Sequence, residues 1–149
     1  LRRPGSIRGI DLARLVLERE LLKANGEVLP AFAIGWEKDA AITYELIPMT
    51  NADQWLTNLL AIHREGLQRP LPLYRETAEA YASTLVRSKR RQPDDAAQEA
   101  WEEGFHPNCD DPFYALVARH RDEPLDDEFR RLSEAIFVPL FEAAAGASS

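Results

Sequence analysis

Cysteine is almost missing from this chain of 149 residues: Cys109 stands alone, which excludes an internal disulfide framework. Lysine is scarce too, with Lys23, Lys38 and Lys89 the full set. The three histidines, His63, His106 and His120, lie far apart, and no Cys-x-x-Cys or His-x-x-x-His spacing occurs. A structural zinc site needs four ligands, of which Cys109 with His106 supplies two. The competing reading is a loop cysteine that packs as a small hydrophobe. The seven glycines are scattered, with no Gly-x-x-x-x-Gly-Lys to cradle a phosphate and no Gly-x-Ser-x-Gly nucleophile turn. No apolar run approaches the ~18 residues of a membrane span. No apolar stretch of the signal-peptide kind follows Leu1-Arg2-Arg3-Pro4. These absences point to a reducing, cytoplasmic setting with no membrane partner.

What is present is globular: 45% of residues are apolar and 29% charged. A chain this long buries roughly 68–70% of its unfolded surface, enough for a core without staples. Eighteen basic residues against twenty-five acidic ones give a net charge of −7. A free-standing, non-specific nucleic-acid binder is normally basic, so that class is disfavoured; local contact with DNA inside a larger assembly is not.

Periodicity predicts helix-rich architecture around one hairpin. Ile10, Leu12, Leu15, Val16, Leu17, Leu21 and Leu22 form a helical stripe over about 9–24, with Arg14, Glu18 and Arg19 on other faces. Asn25-Gly26 ends it, since both tolerate the left-handed backbone of a helix stop. Leu29 to Trp36 reads as a strand in which Phe32, Ile34 and Trp36 alternate with small residues. Ala40 to Ile47 reads as its partner, with Ile42, Tyr44 and Leu46 pointing one way. Asn51 is an N-cap candidate for a helix carrying Trp55, Leu56, Leu59, Leu60 and Ile62, stopped by Gly66. Arg69 to Tyr74 holds two prolines and reads as a loop pressed on the core. A helix follows from Thr77 to Lys89, with Ala78, Tyr81, Ala82 and Leu85 inward. Pro93 breaks that helix, and Asp94 caps a short helix through Trp101. After a loop over 104–112, a short helix runs from Phe113 to His120. Pro124 and Asp126 open the last helix, whose apolar face is Phe129, Leu132, Ile136, Phe137, Leu140 and Phe141; Pro139 kinks it or marks its final turn. The small-residue tail 143–149 is expected to fray.

Charge clusters supply the candidate sites. The acidic set Asp94-Asp95, Glu99, Glu102-Glu103 and Asp110-Asp111 reads first as a solvated helix face and second as a divalent-metal site. Arg87, Lys89, Arg90 and Arg91 form the densest positive feature. Cations at a helix end complement its carbonyls; the functional alternative is contact with phosphates or an acidic partner. Arg64, Arg69 and Arg75 flank the proline loop and extend that candidate DNA-binding surface.

Combinations of segments then carry a resemblance. Trp55-Leu56-x-x-Leu59-Leu60-x-Ile62-x-x-Glu65-Gly66-Leu67-x-x-Pro70-Leu71-Pro72-Leu73 continues into Thr77-Ala78-x-x-Tyr81. Ala97-x-x-Ala100-Trp101 leads to Asp111-Pro112-Phe113-Tyr114-Ala115-Leu116, and Phe129-x-x-Leu132-x-x-Ala135-Ile136-Phe137-x-Pro139-Leu140 closes the chain. In this order they resemble the C-terminal domain of RecC, the gamma subunit of exodeoxyribonuclease V (RecBCD), over about residues 10–142. Pro107-Asn108-Cys109-Asp110 departs from that family's pattern, as does Leu15-Val16-Leu17-Glu18-Arg19.

The resemblance implies a mixed, helix-rich α/β domain spanning 1–149, with a β-hairpin and five to six helices: a degenerate PD-(D/E)xK nuclease-like fold within a longer RecC-like chain. It implies RecB-like and RecD-like partner subunits and DNA within the assembled complex, with ATP and Mg needed by the partners rather than by this domain. The residues themselves give an independent reason to expect no catalytic or metal-binding set. Such nucleases need a carboxylate pair for metal and a lysine two residues beyond one carboxylate. The residues two before the three lysines are Leu21, Trp36 and Arg87, and no Gln-x-x-x-Tyr motif occurs. The rival enzyme reading is a diverged nuclease using Glu37, Asp39 and Glu45; a second rival is a protein-interaction module with no DNA contact.

Overall fold

The computed structural model describes residues 7–37, 40–49, 51–103 and 107–144. It divides into two compact units, residues 53–138 and a second made of 1–52 with 139–149. Six α-helices, a 3₁₀ turn at Asn108–Asp110 and a two-stranded antiparallel hairpin are the regular elements among the described residues.

In the unit that holds the hairpin, α1 spans Gly9–Ala24. Its start is fixed by the Asp11 carboxylate, which accepts the Arg8 amide at 3.0 Å. Its end follows the Asn25-Gly26 signal. Glu27 N–H donates to Leu22 O and Gly26 N–H to Lys23 O, each at 3.0 Å, and Gly26 sits at φ +84°. That is the double hydrogen bond of a Schellman stop. Nothing lies within 4 Å of a Cβ built at Gly26, so Gly26→Ala tests backbone strain alone. We expect a loss of about 1 kcal/mol in urea unfolding. Helical Gly66 is the counter-case: an added Cβ meets the Leu71 side chain at 3.4 Å, and Gly66→Ala is expected to be neutral or stabilising by up to about 1 kcal/mol.

β1 (Ala31–Glu37) and β2 (Ala40–Leu46) pair with Ala31 opposite Leu46, Ala33 opposite Tyr44 and Phe32 opposite Glu45. The expected alternation is present, and its buried row is the small one. Ala31 and Ala33 are buried with Tyr44 and Leu46, while Phe32, Ile34 and Trp36 are exposed. The physical reason is α1, which packs on β1 and buries Leu12, Leu15 and Val16; alanines let its backbone come close. Arg19 departs from the exposed position its place on α1 suggested. Its side chain is only 10% exposed, and Nη1 donates to Leu46 O at 3.2 Å and Ile47 O at 3.3 Å, satisfying carbonyls where β2 ends. At the other end of the chain, Ile47 N–H donates to Ala143 O at 2.9 Å, and Ala143 and Ala144 are buried. The remainder of the small-residue tail, 145–149, lies outside the described residues.

In the unit 53–138, α2 (Ala52–Gly66) buries Trp55, whose Nε1–H donates to Ile136 O at 3.1 Å. The proline stretch does press onto the core: Pro72 and Tyr74 are fully buried. α3 runs Arg75–Arg87 and α4 Pro93–Glu102. They pack together through buried Ala78, Ala82, Ala96 and Ala97, small side chains that permit close helix approach. Leu85 departs from its expected inward position and is 44% exposed. Pro93 opens α4 at its first turn, because the first helical amides have no intrahelical partner to lose; the cap position is therefore Gln92, and Asp94, expected there, lies inside the first turn. α5 is Pro112–Ala118, capped by the Asp111 carboxylate, which accepts from Phe113 N–H at 2.8 Å and Tyr114 N–H at 3.2 Å. α6 runs Asp127–Ala143. Asp126 caps it through Phe129 N–H at 2.9 Å, and Phe129, Leu132, Phe137, Leu140 and Phe141 are buried along it as the pattern predicts. Pro139 lies inside this helix, four residues before its end.

Candidate nucleic-acid interface

The connection between α3 and α4 is short and built around one hydroxyl. Ser88 caps α3 through its amide, bonded to Thr84 O at 2.9 Å. Its Oγ accepts the amides of Arg90 at 3.3 Å and Arg91 at 2.9 Å. This side-chain turn presents three exposed cations in succession, Lys89, Arg90 and Arg91. Arg87 is exposed in the last turn of α3, where a cation complements the carbonyl end.

The structure sorts the seven candidate cations by what they already touch. Arg91 is paired with Glu99, both well exposed, a type of pair worth little in water. Arg75 is paired with Glu76 on the same helix. Arg69 bridges Glu65 of α2 and Glu128 of α6. Among the described residues, Arg64, Lys89 and Arg90 make no ion pair, and all three are exposed. Lys89 and Arg90 are adjacent on the Ser88 turn; Arg64 lies in the last turn of α2.

Arg69 therefore belongs to a structural network. Glu128 also accepts from Arg121, which holds Asp126 as well. The hydrogen bond from Arg69 keeps the Glu128 carboxyl below its ordinary 4.5, against burial, which pushes it up. Burial pushes the Asp126 carboxyl up, but hydrogen bonds from Arg121 and the Phe129 amide outweigh it and leave the group below 3.8. A carboxyl depressed by folding adds stability above its unfolded pKa and loses it as pH falls through the folded value. Stability is thus expected to hold from about pH 7 to about pH 5 and to fall below about pH 4. Glu128→Gln should be less stable at neutral pH and show a shallower acid slope in urea titrations.

Beside the start of α3 lies an open cleft of about 790 Å³, lined by Arg75, Glu76, Pro107, Asn108, Asp110, Asp111 and Tyr114. Asn108 is its buried element. Its Oδ1 accepts from Thr77 N–H at 3.2 Å and Thr77 Oγ1 at 2.9 Å, and its Nδ2 donates to Glu76 at 3.1 Å. These three bonds tie the 107–111 turn to α3. The sequence marks Cys109, Asp110 and Asp111 in this stretch, but Asn108 only as part of a departure from a family pattern. Asp111 had a readable signal, an Asp-Pro pair opening a helix; Asn108, bonded across 31 positions, had none.

The carboxylates of the enzyme reading are not assembled into a described site. Glu45 is exposed on β2, while the Glu37 side chain and Asp39 lie outside the described residues, as does His106, the expected companion of Cys109. Among the described residues no three His, Cys, Asp or Glu side chains form a group able to hold a metal ion. Nor is any described helix long and apolar enough to cross a membrane.

The family model described as the RecC C-terminal domain matches residues 1–86. The chain belongs to the RecC C-terminal domain family. The matched span covers α1, the hairpin, α2, the proline stretch and nearly all of α3, and so includes Arg64, Arg69 and Arg75. It stops before Arg87 and the Ser88 turn, and before the Asp111-Pro112 and closing-helix segments. Membership gives the chain a RecBCD-related subunit role with partner subunits. No curated protein matches it.

Proposed function

We propose that this RecC-type domain is a non-catalytic part of a helicase–exonuclease complex acting in double-strand break repair by homologous recombination, where it packs against RecB-like or RecD-like subunits and guides a DNA strand. Its work is steric and electrostatic. The observation that carries the reading is the division of labour among the cations: Arg69 and Arg75 are spent on carboxylates, while Lys89 and Arg90 on the Ser88 turn make no ion pair among the described residues. Phosphate contacts need such free, exposed charge. The proposed ancestry is a PD-(D/E)xK nuclease scaffold that has lost its lysine and metal ligands. The domain then uses no cofactor of its own, and ATP and Mg serve its partners in the cytoplasm.

The nuclease alternative is tested by incubating the chain with linear DNA and Mg²⁺ or Mn²⁺. The expected result is no metal-dependent cleavage. Cleavage that disappears in Glu45→Ala would overturn the non-catalytic reading. An interaction module without DNA contact is favoured by one observation, the apolar exposed row of β1. It predicts that charge reversal at the Ser88 turn leaves DNA affinity of the assembled complex unchanged.

A further inference from the structure

Phe32, Ile34 and Trp36 alternate along β1 and are 42%, 39% and 54% exposed. Across the hairpin the same face carries Ala41, Thr43 and Glu45. An antiparallel sheet with one solvated face normally turns polar residues outward; here the large apolar side chains point out and alanines point in. Glu45 is exposed opposite Phe32 and makes no ion pair among the described residues.

We infer that this face is a docking surface for one amphipathic helix of a partner subunit, with an apolar stripe along Ile34 and Trp36 and a lysine or arginine against Glu45. The inference rests on the subunit-packing reading above and names the face that does the packing. Width decides for a helix. Two strands about 4.8 Å apart make a strip too narrow for an opposing sheet, and a helix is about 10 Å across. From Phe32 to Trp36 the row spans about 13 Å, which corresponds to eight or nine helical residues at about 1.5 Å each. The opposite side of the hairpin already follows this geometry, with α1 on β1; a second helix completes a three-layer arrangement. Charge decides the flank. A lone carboxylate on an apolar face loses solvation when covered, so the occupant must bring a cation to it.

The test is hydroxyl-radical footprinting with mass spectrometry on the chain alone and in the assembled complex with its partner subunits. Trp55 and Trp101 are buried, so their oxidation is the internal control. Assembly should lower Trp36 oxidation at least fivefold and leave the controls unchanged. Ile34→Asp and Glu45→Lys should each weaken association at least tenfold. Both positions are exposed, so circular dichroism and the thermal midpoint should match the parent chain. A complex that assembles with Trp36 still fully reactive sinks this inference and spares the packing reading. Failure of the chain to associate with those subunits at all sinks the packing reading itself. Protection that appears in the chain alone as its concentration rises assigns the face to a second copy and overturns the partner assignment.

Discussion

Replacing Tyr74 by alanine is expected to remove about 4 kcal/mol of stability, whereas Tyr74→Phe should leave stability unchanged or slightly raised. The ring is fully buried and central to the unit 53–138. It lies 4.4 Å from Trp101, 5.4 Å edge-on from Tyr114 and 6.0 Å from Phe129, centroid to centroid. Truncation forfeits the transfer energy of the ring and leaves a cavity walled by three aromatics that cannot all collapse into it. The hydroxyl is a different matter. It is buried with no hydrogen-bond partner among the described residues, and burial pushes its pKa up to about 12, so it stays neutral. Removing an unsatisfied buried hydroxyl removes a desolvation cost without breaking a bond. For a chain of this size the alanine variant should melt about 8–16 °C lower. A phenylalanine variant that lost more than about 1.5 kcal/mol would show that the hydroxyl has a partner after all.

Much of this core was legible because local signals and tertiary packing agree. The Asn25-Gly26 stop and the apolar face of α6 follow from periodicity plus a cap, whereas of the α1 stripe only Leu12, Leu15 and Val16 are buried and Ile10, Leu17, Leu21 and Leu22 are exposed. The hairpin pairing was legible as well, but its sense was not. Period alone cannot say which of two alternating rows faces the core, and large apolar residues are the usual guess. Here the small row is buried because a helix must approach it. Leu85 misled in the same way: it fits the helical period, yet the close contact between α3 and α4 is made by Ala78, Ala82, Ala96 and Ala97. The candidate site was half legible. All seven cations stand in the sequence, but Arg69 lies beyond the end of α2 at Gly66, so its pair with Glu65 is not one that helical spacing announces. The partnership of Arg69 with Glu128 spans 59 positions and leaves no local trace. That distant pairing is what removes Arg69 from the list of free cations, and only the fold reveals it.

Lys89 and Arg90 remain, and reversing both should produce the largest functional change available in this chain. Each phosphate contact contributes about 0.9 to the slope of log affinity against log salt. Lys89→Glu with Arg90→Glu in the assembled complex should therefore reduce that slope by about 1.8, with at least tenfold weaker binding at low salt and little difference at high salt. The turn itself should survive, because Ser88 accepts backbone amides rather than either side chain. Arg69→Gln supplies the contrast: its partners are Glu65 and Glu128, so it should lower stability and leave the salt slope where it was. The measurement that bears most directly on strand guidance is thus filter binding of linear DNA by the parent and doubly reversed complexes across a salt series. A shallower slope and weaker low-salt binding in the reversed complex, with assembly intact, is the predicted result; superimposable curves for the two complexes would contradict it.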